Sequence, residues 1–211
     1  MGGGNAQTII LYPYAVDSNG NLTPAAAVTV TTVGNRLIAY NSDPRQWMAL
    51  DPQGAFLYTA DADSPGHLYA YAIGPGASLS LKDTQVAGDG PLLVSTDSNA
   101  NIYVANVYGT PSIQLFALNR TTSALNLVST YGALGTSSEW DAGADPLGPG
   151  QGSSVYGQLA FDPTGAFFVA PTGPCGYLIQ LYSHAATGAL TPLAGSPAFG
   201  AFFQGQWVFM Q

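Results

Sequence analysis

Apolar and polar residues alternate along this chain in short runs of period two, broken by turn residues rather than by longer amphipathic segments. That is the pattern of half-buried β-strands. Four runs share one aromatic and aliphatic strand: Ile9-Ile-Leu-Tyr-Pro-Tyr14, Leu68-Tyr-Ala-Tyr-Ala-Ile73, Ile113-Gln-Leu-Phe-Ala-Leu118 and Leu178-Ile-Gln-Leu-Tyr-Ser183. Each leads through a polar turn into a shorter strand marked by a leucine, at Leu22, Leu79, Leu125 and Leu190. The first and fourth copies share the tripeptide Leu-Thr-Pro, which argues for repetition rather than coincidence.

Upstream of three of these pairs lies another predicted hairpin: Trp47-Met-Ala-Leu-Asp-Pro-Gln-Gly-Ala-Phe-Leu-Tyr-Thr59, a looser copy over Leu92–Val104, and Leu159-Ala-Phe-Asp-Pro-Thr-Gly-Ala-Phe-Phe-Val169. Asp-Pro-x-Gly is turn chemistry: the carboxylate caps the turn, Pro fixes φ, and Gly takes the positive-φ position. Each unit therefore reads as four short antiparallel strands, a to d, over roughly 45 residues, the length and layout of a propeller blade.

The expected fold class is all-β: a β-propeller of about four four-stranded antiparallel blades, forming a single domain over residues 1–211. Residues 9–32 supply strands c and d of one blade, and residues 46–87, 92–131 and 158–199 supply three complete blades. Residues 206–211 (Gln-Trp-Val-Phe-Met-Gln) match Gln46–Asp51 and read as a last strand a. One blade is then split between the two ends and lacks strand b. A partner chain, residues 36–40, or the remainder of a larger propeller would fill it. An open blade edge pairs readily with another chain, so self-association is expected.

Composition narrows the setting. Charged residues make up 8% of the chain against about 25% in an ordinary soluble domain, which suits an extracellular or cell-surface protein. The start, Met1-Gly-Gly-Gly-Asn5, lacks the basic and apolar regions of a signal peptide; a secreted protein would then have had its signal removed, or the sequence begins inside a longer gene. The net charge is −8, and Arg36, Arg45, Lys82 and Arg120 are the only Lys or Arg residues. They assemble no basic patch, so a nucleic-acid partner is not expected. No run of about 18 apolar residues offers a membrane span, and the lone Cys175 excludes an intrachain disulfide.

The string Leu-Asp-Pro-x-Gly-x-Phe-Leu-Tyr-x-Ala at Leu50–Ala60, its echo at Phe161–Ala170, Thr187–Pro192 and Gly195–Pro197 resemble the lactonase-type, YVTN-like bacterial β-propeller repeat proteins. The resemblance implies a seven-bladed ring of which this chain would supply a little over half. No catalytic residue is carried over from it, since such repeats serve enzymes, surface proteins and binding scaffolds alike.

Candidate chemistry is sparse. The two long d–a connections, 33–45 and 132–157, lie where propellers carry ligand sites. In the second, Glu139, Trp140, Asp141 and Asp145 combine acceptors with an aromatic plate suited to a glycan or a protein ligand. Asp61 and Asp63 are candidate calcium ligands, a fragment of an Asp-rich loop that otherwise reads as turn capping; no other cofactor is expected. Asn21 and Asn119 are formal glycosylation acceptors. His67 and His184 are the only histidines, and neither has a carboxylate or nucleophile partner evident nearby in sequence.

These features lead to the expectation of a secreted or surface-associated, non-catalytic interaction module that self-associates through open blade edges. Two alternatives stand beside it: a lactonase-like hydrolase, and a subunit of an extracellular fibre completed by strand sharing.

Overall fold

The structure, a computed structural model, describes residues 8–31, 47–61, 65–88, 90–106, 113–131, 159–172, 178–194 and 198–199. It begins with an interrupted hairpin. β1 (Thr8–Leu11) pairs antiparallel with β4 (Val28–Thr31), and β2 (Tyr14–Val16) with β3 (Leu22–Pro24). Pro13 sits at the break, where it has no N–H to give the ladder, while its carbonyl still accepts from the Ala25 N–H.

Three larger antiparallel sheets follow, each a meander of sequence neighbours. The first orders β5 (Met48–Leu50), β6 (Phe56–Ala60), β7 (His67–Ile73) and β8 (Leu79–Val86). The second orders β9 (Pro91–Thr96), β10 (Asn101–Asn106), β11 (Ile113–Asn119) and β12 (Ala124–Tyr131). The third orders β13 (Ala160–Phe161), β14 (Phe167–Thr172) and β15 (Leu178–His184). Its outer strand is interrupted: β16 (Leu190–Pro192) and β17 (Ala198–Phe199) both pair with β15.

The turns that open these sheets follow from their aspartates. Asp51 Oδ2 accepts the Ala55 N–H, the Gly54 N–H returns to the Asp51 carbonyl, and Gly54 sits at φ +68°. Asp162 and Gly165 repeat this closure with Gly165 at φ +71°. In the looser middle copy Ala100 holds the left-handed position at φ +65°, and Asp97 Oδ1 accepts the Asn99 and Asn101 N–H groups.

Each apolar core lies between sheets rather than within one. Leu11 and Val30 of the hairpin pack on Tyr69 and Tyr71 of β7. Phe56, Tyr58 and Leu68 pack on Val94, Ile102 and Phe116 of the second sheet. Tyr103, Ile113 and Leu115 pack on Leu159, Phe168 and Tyr182 of the third. A sheet hydrophobic on both faces must stack between neighbours, the requirement that defines repeat architectures. Stacked four-stranded meanders of this kind are propeller blades.

Polar stitches cross the interfaces beside these cores. Thr96 Oγ1 donates to the Leu50 carbonyl at 2.7 Å, the Leu125 N–H to Asp83 Oδ2 at 2.7 Å, and the Leu190 N–H to the Tyr131 hydroxyl at 3.0 Å. Leu125 and Leu190 are buried in these contacts, whereas Leu22 of the hairpin is exposed. The leucine repeat marks a position that is buried only where another blade covers it. Residues 36–40 and 206–211, invoked above for the split blade, lie outside the described residues.

Candidate active site

Pairing of Ala60 with Leu68 and of His67 with Val86 brings the end of β6, the start of β7 and the end of β8 to one edge of their blade. Asp61 follows β6 directly there, and its carboxylate is buried. Asp61 Oδ1 accepts the His67 backbone N–H at 2.8 Å, and Oδ2 accepts the Tyr69 hydroxyl at 2.7 Å. Oδ2 also lies 3.2 Å from His67 Nδ1. A carboxylate only accepts, so this contact assigns the hydrogen to Nδ1 and leaves Nε2 with its lone pair. The His67 side chain is 31% exposed against 0% for Asp61, so the pair couples a buried acceptor to a solvent-reachable base.

Gly66 lets this turn form. Its N–H donates to the Gly88 carbonyl and its carbonyl accepts from Ala87, so the b–c turn lies against the connection leading into β9. A Cβ on Gly66 would come within 2.2 Å of Pro91 Cδ and 2.9 Å of Asp61 Oδ1. Only glycine permits that approach.

The other histidine is built differently. His184, at the end of β15, reaches back to the preceding blade. Its Nε2 lies 3.0 Å from Asp97 Oδ2 and 2.8 Å from the Tyr103 hydroxyl, while Nδ1 lies 2.5 Å from the Gly165 carbonyl. The His184 and Asp97 side chains are 2% and 3% exposed. The Tyr103 hydroxyl also donates to the Gly188 carbonyl at 2.9 Å, and Asn101 Nδ2 bridges Asp97 and the Ala186 carbonyl. Burial, then the Asp97 charge, push the Tyr103 phenol far above its ordinary range.

One interface earlier, Arg120 makes the matching contact. Its guanidinium grips Asp51 of the preceding blade through both terminal nitrogens, beside buried Tyr58. The Tyr58 phenol is pushed up to about 12 by burial and by the Asp51 charge. His184 and Arg120 are thus structural clasps between blades, and His67 is the histidine open to solvent.

This corrects the expectation that His67 has no carboxylate partner nearby in sequence. Asp61 and His67 straddle one turn, and the signal was available in the strand register. Asp97 and His184 belong to different blades, so no local spacing relates them. The Asp61 carboxylate is occupied by donors from His67 and Tyr69. Among the described residues no group of three or more His, Cys, Asp or Glu side chains is placed to hold a metal ion. Asp63, Glu139, Trp140, Asp141 and Asp145 lie outside the described residues. Asn21 and Asn119 are exposed, each serving its own turn. Asn21 Nδ2 donates to Asp17, and Asn119 Oδ1 accepts the Thr121 and Thr122 N–H groups.

Blades stacked through paired aromatic cores, with polar residues at the strand ends, define a β-propeller protein. The family model of the lactonase, 7-bladed β-propeller, matches residues 29–192, most of the chain, and the chain belongs to that family. A search of the curated proteins found no match. Among solved structures, the chain is similar to a periplasmic gluconolactonase from Pseudomonas aeruginosa: 19% identity, TM-score 0.57, covering 91% of this chain and 51% of that one. It is also similar to a candidate 6-phosphogluconolactonase from Bacteroides uniformis: 16% identity, TM-score 0.57, covering 92% and 55%. A protein from Lactobacillus plantarum matches at 16% identity and TM-score 0.58, covering 86% and 49%. At these identities the likeness shows the fold. The chain spans about half the length of the structures it matches.

These findings overturn the expectation of a non-catalytic, self-associating module. The family match favours the lactonase-like alternative.

Proposed function

We propose that the chain is part of a lactonase-type hydrolase in which His67, oriented by Asp61, activates water to open a sugar lactone. The observation that carries this is the His67–Asp61 pair, a partly exposed imidazole held on a buried, doubly anchored acceptor. Nε2 takes a proton from water as the water oxygen bonds to the lactone carbonyl carbon. The tetrahedral centre collapses, the ring C–O bond breaks, and the proton held on Nε2 passes to the departing ring oxygen. Asp61 holds the ring orientation and stabilises the transient imidazolium, and the Tyr69 hydroxyl fixes the carboxylate.

The test is hydrolysis of glucono-δ-lactone followed with a pH indicator above the spontaneous rate. His67→Gln is expected to lower kcat by about 10²–10⁴-fold, and Asp61→Asn to lower kcat with little change in KM. Retention of full activity by His67→Gln would overturn the assignment.

A further inference from the structure

We propose that Asn106, at the end of β10 in the second large blade, is a positioning residue for His67 of the first. Its side chain is the seat on which the Gly66–Gly88 contact beside the His67 turn rests. This deepens the reading of His67 as the base, and rests on it.

The His67 turn is not held by its own hairpin alone. The Gly66 N–H donates to the Gly88 carbonyl at 2.7 Å, and the Ala87 N–H to the Gly66 carbonyl at 2.8 Å. Each glycine of this contact lies bare against one residue of the second blade. A Cβ on Gly66 would meet Pro91 Cδ at 2.2 Å, and a Cβ on Gly88 would meet Asn106 Nδ2 at 2.5 Å and Cγ at 2.9 Å. Pro91 and Asn106 are themselves register partners across β9 and β10. The second blade thus presents one paired edge, and the turn of the first sits on it through two residues without side chains. Gly88 also holds φ +86°, the left-handed backbone that glycine adopts at no steric cost.

The Asn106 side chain is fixed in turn. It is fully buried, and its Nδ2 donates to Oε1 of buried Gln114 at 3.3 Å. The β9–β10 ladder is regular from Ile102 to Ala105 and slips at Asn106, and irregularities of this kind re-aim the side chains beside them. In the first blade the corresponding places hold the orienting carboxylate and its anchor. Asp61 follows Tyr58 as Asn106 follows Tyr103, and Tyr69 stands opposite Thr59 as Gln114 stands opposite Val104. The amide keeps a hydrogen-bonded pair there without bringing a second carboxylate to the contact.

β10 carries the same device at its other end, where its link to a histidine is direct. Asn101 opens the strand, and Gly188 of the third blade, at φ +85°, lies against it: a Cβ there would meet Asn101 Cγ at 2.7 Å. Asn101 Nδ2 donates to Asp97 Oδ2, which lies 3.0 Å from His184 Nε2. An asparagine of the second blade thus seats a left-handed glycine from a neighbouring segment, with a histidine fixed beside it. Asn106 stands in the same relation to Gly88 and His67. A reacting group misplaced by about 1 Å can cost on the order of 10²-fold in rate, so the seat matters to turnover even where the fold tolerates its loss.

The test compares Asn106→Ala, Gln114→Met and Thr96→Val with wild type. Thr96 bonds the Leu50 carbonyl across the same blade interface from the opposite end of β9, so it controls for loosened packing. Hydrolysis of glucono-δ-lactone gives kcat and KM. Proton–carbon NMR of the rings of His67 and His184, the only histidines, reports their surroundings whether or not the chain turns over. Asn106→Ala is expected to lower kcat by on the order of 10-fold with little change in KM, and to shift the His67 ring signals while those of His184 stay in place. Gln114→Met keeps the bulk and removes the Asn106 acceptor; it should move both readouts the same way by less, and it is judged by the same criteria if Asn106→Ala does not fold. Unmoved His67 signals, an unchanged kcat, or an equal loss in Thr96→Val overturns the proposal. If wild type opens no lactone, or His67→Gln keeps full activity, the reading of His67 as the base fails and the ring signals alone decide. Signals that move in Asn106→Ala and not in Thr96→Val then uphold the seat, and any other pattern overturns it.

Discussion

Tyr58 and Tyr103 form a matched pair for testing whether the blade interfaces are held as the geometry indicates. Both are fully buried on the second strand of their blades, and each lies beside an aspartate clasp, Asp51 to Arg120 or Asp97 to His184. Their hydroxyls differ. Tyr103 donates to the Gly188 carbonyl and contacts His184 Nε2, whereas the Tyr58 hydroxyl has no hydrogen-bond partner among the described residues. Tyr103→Phe removes bonds to a carbonyl and to a buried imidazole; His184 Nε2 keeps Asp97, while the Gly188 carbonyl loses its Tyr103 donor. Leaving a buried acceptor without its donor costs about 1–3 kcal/mol, so a loss of about 2 kcal/mol is expected. For a chain of this length that lowers Tm by roughly 4–8 °C. Tyr58→Phe removes a polar atom that was desolvated without compensation. The expected change runs from zero to a gain of about 1 kcal/mol, or a Tm higher by up to roughly 4 °C. Both variants keep the ring and its packing, so the comparison isolates the hydroxyls. Melts followed by far-ultraviolet circular dichroism at pH 7 suffice. Equal losses at the two sites, or a larger loss at Tyr58, would refute the reasoning.

Three further outcomes follow from the same structure. Arg120→Ala strips the only basic partner, among the described residues, of a fully buried carboxylate; because the arginine is itself 36% exposed, the cost is well below that of a fully buried pair, about 1–2 kcal/mol, measurable by urea unfolding. At Asp83, burial raises the carboxyl pKa but is outweighed by the Leu125 and Thr84 N–H groups and the Gln85 amide, so the folded value lies below the ordinary one. A depressed folded pKa gives stability that is present above the unfolded value of about 3.9 and lost as pH falls through the folded one; Asp83→Asn should flatten the acid side of a stability–pH curve below pH of about 4, and an unchanged slope would count against the Leu125 stitch. Gly66→Ala forces a methyl into Pro91 and Asp61; it should cost about 1–3 kcal/mol and lower lactone hydrolysis more than Thr96→Val, which loosens the same interface away from His67.

The blades were legible in the sequence because each depends on local signals: alternation of two, an aspartate before the turn, and a glycine at positive φ. Even the loose middle copy keeps the aspartate, and Ala100 adopts the left-handed backbone in the glycine's place. The aspartates' second role was hidden. Asp51 reads as a turn cap, and it is one, yet it also accepts Arg120 from the following blade. Asp97 likewise closes its turn and holds His184. Blades are joined by connections of unequal length, so an interface contact has no fixed spacing to betray it. The His67–Asp61 pair was hidden for another reason: Asp61 resembles a fragment of a cation loop until the register pairs Ala60 with Leu68 and turns its carboxylate onto the histidine.

That double use of the turn aspartates separates folding of a blade from its assembly. The turn needs the carboxylate only as an acceptor for backbone N–H groups, which Asn could partly imitate. The clasp needs its charge, because it must hold a guanidinium or an imidazole across an interface. Asp97→Asn should therefore leave the second blade's hairpin formed while weakening its grip on the third. In amide hydrogen exchange, protection should fall first along β15 and β16, and remain along β10. Simultaneous loss on β10 and β15 would show instead that turn and clasp are one cooperative unit, and that the blades do not open at their interfaces.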